Sequence, residues 1–273
     1  MPMISLTIIL TDYRGSKQTM EIQTLITTLM HRPYVFVFLV SFLVIGVLNR
    51  GFARTFLFLL IGFWIAYLSE ISSIRNGFPY GMYHYLYENM RGETVIGGVP
   101  VWDSLSYSFL AYASYELTSF FIGHSRYFLM VASLMMVLLD VVVDPLAVRG
   151  DRWFLGKIFY YPSGGLYFGV PLSNFMGWFL VAFAILYSYH FLEKKIFARQ
   201  PPLRAHFLGP LFYWGILAFN LTITFWMGEI FLGGVGLGLH LLVGGILYQV
   251  RSSFCSLPSY EKTLGEPSDI VSR

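Results

Sequence analysis

The sequence predicts an all-α, polytopic membrane protein: a bundle of about seven transmembrane helices, with aromatic Gly/Pro-rich loops capping one side. Three observations predict it. Hydrophobic residues make up 56% of the 273 positions, and only 12% are charged, about half the share of an ordinary soluble domain. Such a chain cannot clothe a water-facing surface, so its outside meets lipid. Apolar runs approaching the ~20 residues needed to cross a bilayer recur along almost the whole length. Aromatic residues reach 19%, and many of them crowd into the connections between those runs. This composition excludes a soluble enzyme, a disordered regulator and a nucleic-acid-binding domain, because a net charge of +3 is no polyanion-binding signal. The single cysteine, Cys255, excludes an intramolecular disulfide framework and a cysteine-based zinc site.

Taken in order, the opening Met1–Leu10 is apolar but lacks a basic flank and stops at Asp12, so it does not read as a cleavable signal peptide. The predicted spans are Pro33–Leu48, Phe52–Ser69, Leu105–Ile122, Tyr127–Val148, Leu172–Leu192, Phe207–Met227 and Ile230–Val250. Six or eight spans remain open, since Gly233, Gly234, Gly236 and Gly238 blur the last turn. Residues 1–251 form one membrane domain, and the polar segment 252–273, with Pro258 and Pro267, reads as a mobile tail. Seven spans place the long Glu70–Asp103 and Arg149–Pro171 connections on one side, with the N-terminus. The other side holds Arg50, Arg54, Arg126, the Lys194–Arg204 loop and the tail. The positive-inside rule favours that second side as cytoplasmic, chiefly through Lys194, Lys195, Arg199 and Arg204.

Acidic residues within the spans carry the functional signal. Inserting an ionised Asp or Glu at a helix centre costs about 2.5–3.5 kcal/mol, so such residues face the bundle interior and serve a purpose there. Glu70, Glu116, Asp140 and Asp144 qualify. Asp140 and Asp144, four apart, share one helix face. Counted from the span ends, all four are expected under the half of the membrane covered by the two long loops, lining one polar pocket. Each acid could instead fix packing through hydrogen bonds with neighbouring helices. Glu229 and His240, on the last hairpin, read as a structural pair or a proton path. The loops themselves, with Tyr80, Tyr83, Tyr85 and Tyr87 in one and Tyr160, Tyr161, Tyr167 and Phe168 in the other, are too dense in rings for an interfacial belt alone and read as a lid over an apolar cavity. The six histidines show no metal-ligand spacing, and no metal site is expected.

Four segments together carry a resemblance: Tyr80-Gly81-x-Tyr83-x-Tyr85, Gly98-Val99-Pro100, Asp140-x-x-x-Asp144-Pro145-x-Ala147, and Tyr167-x-Gly169-Val170-Pro171-x-x-Asn174-Phe175-x-Gly177-Trp178. They resemble the CruF-type carotenoid 1,2-hydratases, integral-membrane carotenoid-biosynthesis proteins of bacteria and archaea. The resemblance covers Glu70 to Trp178 by motif and the flanking spans by hydropathy. One departure is Trp102-Asp103-Ser104-Leu105-Ser106-Tyr107, where a Pro-rich, Trp-containing segment is expected. The resemblance implies hydration of the 1,2 double bond of an acyclic ψ-end carotenoid to a tertiary alcohol, with no cofactor. It implies a carotenoid and the lipid bilayer as partners, beside other carotenoid-biosynthesis enzymes. The prokaryotic cytoplasmic membrane is the expected location.

The residue chemistry is compatible with this reaction. Protonating an alkene needs a carboxylic acid still protonated near neutral pH, and burial with a second carboxyl nearby provides one. Raising an acid from about 4 to about 7 corresponds to roughly 4 kcal/mol. Asp144 is assigned as the acid and Asp140 as the group positioning water, with the reverse assignment open and Glu116 or Glu70 as alternatives. Aromatic faces would hold the carbocation, at about 2 kcal/mol when desolvated; the candidates are Tyr83, Tyr85, Tyr112, Trp153, Tyr167 and Trp178. Asn174 would help a carboxylate activate water. A carotenoid cyclase begins with the same protonation and is the nearest alternative. A proton-coupled transporter is less well supported, because the two halves show no repeat, and a structural subunit is the remaining class.

Overall fold

A computed structural model describes residues 22–197 and 207–256. The expectations for Met1–Leu10, for residues 198–206 of the basic loop and for residues 257–273 of the tail lie outside the described residues. A helical segment over residues 22–31 (α1) leads into the long helices α2 (Pro33–Arg50), α3 (Phe52–Asn76), α4 (Val101–Ile122), α5 (Phe128–Val148), α6 (Leu172–Ile196), α7 (Leu208–Trp226) and α8 (Ile230–Ser256).

Local chemistry explains where these helices begin and end. Pro33 occupies the first turn of α2, where its missing N–H is no loss. Gly51, at φ 82°, makes the one-residue turn to α3. Gly77, in the left-handed region at φ 81°, caps the other end of α3. Two boundaries differ from the hydropathy reading in ways that matter below. The second span continues past Ser69 to Asn76, which puts Glu70 inside the helix. The third begins at Val101 rather than Leu105.

Six of these helices, α2, α3 and α5 to α8, are long and apolar enough to cross a membrane. Their outer faces carry the apolar side chains, as in the α3 stripe Phe56, Leu60, Trp64 and Leu68, all exposed at four-residue spacing. The seventh, α4, is the central helix and packs against α2, α3, α5, α6, α7 and α8. Because it is enclosed by protein, it can carry Ser104, Ser108, Ser114, Thr118 and Glu116, all buried. Small residues allow the close approach: a Cβ on Gly62 of α3 would lie 2.9 Å from the Ser108 Cα of α4.

The two long connections join as one cap. Strand β1 (His84–Tyr85) pairs antiparallel with β4 (Phe159–Tyr160), in the register His84–Tyr160 and Tyr85–Phe159. Within the first connection, β2 (Val95–Ile96) turns through Gly97-Gly98, both at positive φ, into β3 (Val99–Pro100). The cap is anchored to the bundle by a buried ion pair. Glu93 accepts hydrogen bonds from Arg32 (3.0 and 2.8 Å) and from the Trp102 indole (2.7 Å), while Arg32 also donates to the Leu155 carbonyl.

Candidate active site

Four carboxyl groups converge beneath the cap: Glu70 near the end of α3, Asp103 in the first turn of α4, and Asp140 and Asp144 one turn apart on α5. They form two pairs, each joined by hydrogen-bond donors. Asn174, in the first turn of α6, donates from one amide nitrogen to Oδ2 of Asp140 at 2.8 Å and Oδ2 of Asp144 at 2.7 Å. The loop residue Tyr161 adds a hydrogen bond to Asp144 at 3.2 Å. On the other side, the Tyr85 hydroxyl lies between Glu70 (3.1 Å) and Asp103, close to both, and Tyr107 donates to Glu70 at 2.6 Å. Burial, reinforced by Asp103 and Glu70 for Tyr85 and by Asp144 and Asp140 for Tyr161, pushes both phenols well above the usual tyrosine range, so each remains a donor. Among the described residues none of the four acids enters an ion pair. Nor do three His, Cys, Asp or Glu side chains converge as metal ligands among the described residues.

Two cavities meet at this cluster. The larger, about 700 Å³ including its mouth, is walled by apolar and aromatic side chains such as Tyr34, Phe38, Phe109, Trp153, Ile216 and Phe219. The smaller, about 320 Å³, is polar and reaches Glu70, Tyr83, Tyr85, Tyr161 and Asn174. Asp103, Tyr107, Asp144, Phe159 and Trp178 line both and form the boundary between them. At that boundary the Tyr107 and Trp178 rings stack, with centroids 4.5 Å apart and planes 16° from parallel.

Of the residues singled out from sequence, Glu70, Asp144, Tyr83, Tyr85, Trp153, Asn174 and Trp178 line one or both cavities. Asp140 is fully buried and lines neither cavity, and its Oδ2 accepts the hydrogen bond from Asn174. Tyr167 stands beside the cluster, its ring edge-on to Phe175. Two expectations are corrected. Glu116 does not share the pocket: it pairs with Arg50 at 2.7 Å, at the opposite end of the bundle, near Arg54 and Glu193. Counted from the true helix start at Val101, it lies about 22 Å along α4 at ~1.5 Å per residue, beyond the middle of the membrane. Tyr112, one turn before it, packs on Phe42 and Phe58 in the core and not on the cavity. The Glu229 and His240 pairing is corrected as well: Glu229 binds Arg149 and Arg152, while His240 contacts the Gly236 carbonyl.

Asp103, Tyr107 and Tyr161 were missed by sequence reasoning. The first two do carry a signal, since they stand four apart on one helix face inside the departing segment Trp102–Tyr107. Hydropathy masked it by assigning Asp103 to the loop.

No solved structure matches this chain. Among curated proteins, the bisanhydrobacterioruberin hydratase of Haloarcula japonica is 27% identical over 201 residues, covering 69% of this chain and 61% of that protein. The match therefore spans less than two thirds of that relative's length. The carotenoid biosynthesis protein family matches residues 30–244, a range that contains α2 to α7, the cap and all four clustered acids. The chain belongs to this carotenoid biosynthesis protein family.

Proposed function

We propose that the protein is a carotenoid hydratase of the prokaryotic cytoplasmic membrane. It adds water across the terminal 1,2 double bond of an acyclic carotenoid, giving a tertiary alcohol. One observation carries this reading: an apolar, aromatic cavity and a polar pocket share a wall that contains two carboxyl groups, Asp103 and Asp144. The end of a polyene fits the first environment, water the second, and the groups that must act on both stand between them.

In this reading Asp144 is the acid. It delivers a proton to the less substituted alkene carbon, and the positive charge develops at the tertiary carbon. The stacked Tyr107 and Trp178 faces lie at the same boundary, where cation–π attraction of about 2 kcal/mol is available to a desolvated cation. Asn174 and Tyr161 hold Asp144 in place, with Asp140 fixing Asn174 from behind. The net reaction is redox-neutral and needs only a proton donor, an acceptor and water. The similarity to the bisanhydrobacterioruberin hydratase of Haloarcula japonica supports the same chemistry. A cyclase would start alike but must keep water from the cation, and the polar pocket directly behind the acid favours hydration. Expression in a host that accumulates lycopene, followed by mass spectrometry of the pigments, tests the proposal. A product heavier by one water is expected; unchanged or isomeric pigment from every acyclic carotene tried would refute it.

A further inference from the structure

Resting on the hydratase reading, we infer that Asp103 is the catalytic base that takes the proton from the attacking water, and that the polar pocket carries that proton back to Asp144. Three observations lead there. Asp103 and Asp144 are the two carboxyl groups lining both cavities, whereas Glu70 lines the polar pocket alone and Asp140 lines neither. Asp103 comes from α4 and Asp144 from α5, so the two acids reach the boundary from different helices and can address different atoms of one substrate end. Finally, the pocket joining them is large enough for more than one water and is ringed by hydroxyl groups. Tyr85 reaches Asp103 and Glu70, Tyr161 reaches Asp144, and the Tyr83 hydroxyl is buried without a partner in the protein.

The cycle balances. Asp144 gives its proton to the alkene carbon, using the π electrons to form the new C–H bond, and is left as a carboxylate. A water in the polar pocket donates a lone pair to the tertiary cation, forming the C–O bond, and its proton passes to the Asp103 carboxylate. One turnover thus leaves Asp103 protonated and Asp144 ionised. A proton moved through pocket water from the first to the second restores the starting state, so alkene and water become alcohol with no net proton uptake. Tyr85, acting on Asp103 by hydrogen bond, is a positioning residue.

This division of labour separates two measurable events. Membranes containing lycopene and the protein are incubated in D2O, and the pigments are read by mass spectrometry both for alcohol and for deuterium in recovered alkene. Deuterium enters unhydrated lycopene when Asp144 protonates the double bond and then takes back the other hydrogen. Asp103→Asn is expected to lower alcohol formation by about 10²–10⁴-fold, the usual contribution of a general base, while deuterium still enters recovered lycopene. Asp144→Asn is expected to lose both. Alcohol formation within tenfold of wild type in Asp103→Asn, or loss of exchange together with hydration in a stably inserted Asp103→Asn, overturns the assignment. If that variant does not accumulate, Tyr85→Phe replaces it, keeping both acids and removing the donor directed at Asp103. Hydration should then fall more than exchange, and equal falls overturn the assignment. Failure of the hydratase reading itself is distinct: wild type would form no alcohol from any acyclic carotene.

Discussion

Asp140 and Asp144 occupy one helix face, yet the proposed mechanism gives them unequal tasks, and replacing each by Asn measures the difference. Asn is nearly isosteric with Asp, so the helix and its packing persist and the comparison isolates chemistry. Asp144→Asn removes the proposed proton donor. General acids contribute about 10²–10⁴-fold, or roughly 3–5.5 kcal/mol at 1.36 kcal/mol per tenfold. Asp140→Asn keeps Asp144 and Tyr161 in place and acts on Asp144 from its neighbouring side chain, chiefly by altering the hydrogen bond from Asn174, now 2.8 Å long. The net value of one such bond is about 0.5–1.5 kcal/mol, which corresponds to about a 2- to 13-fold loss if all of it appears as misplacement of Asp144. The assay is pigment conversion in a lycopene-accumulating host, normalised to protein in the membrane. Hydration should fall at least about eightfold further in Asp144→Asn than in Asp140→Asn. Equal losses, or a larger loss in Asp140→Asn, would refute the reasoning that access to both cavities distinguishes the acid from its support.

At the far end of the bundle, Arg50 is buried between Glu116 at 2.7 Å and Glu193 at 3.7 Å; Arg50→Met should cost about 3–5 kcal/mol, the penalty for stranding a buried charge, measured as an earlier denaturant midpoint in detergent. Adding Glu116→Met should recover part of the loss, and an unchanged midpoint in the single variant would show the network to be energetically idle. A methyl group added at Gly177 in α6 would meet the Pro79 carbonyl oxygen at 2.7 Å and Tyr80 Cδ1 at 2.6 Å. Gly177→Ala should therefore cost about 1–3 kcal/mol and lower hydration by displacing the loop that carries Tyr83 and Tyr85. Gly238→Ala, with open space around its added methyl, is the control and should match wild type in both measurements.

Much of the fold was legible because lipid imposes a simple pattern. Hydropathy located the spans to within a few residues at most ends, and the four-residue spacing of Asp140 and Asp144 put both on one face before any neighbour was known. The aromatic Gly/Pro-rich loops announced a cap, whereas Asn174 was expected only to help one carboxylate activate water and instead bridges both aspartates. Hydropathy failed where a helix is enclosed by protein. In α4 the pattern is diluted by serines and acids that no lipid ever meets, so its start was placed four residues late. That shift hid Asp103 in a loop and left Glu116 apparently under the cap.

By itself the sequence determined that the chain is a multi-pass bundle of about seven apolar helices and that Glu116, Asp140 and Asp144 sit within them, because burial cost and helix periodicity are local properties of the chain. Only the tertiary structure decided which acids meet. That Asp103 and Asp144 line the same two cavities, that one Asn174 amide bridges Asp140 and Asp144, and that Glu116 belongs to Arg50 all depend on how the helices rotate and slide against one another. That arrangement is settled by contacts between side chains far apart in sequence, such as Gly62 against Ser108 and Gly177 against Tyr80, and no single helix encodes it.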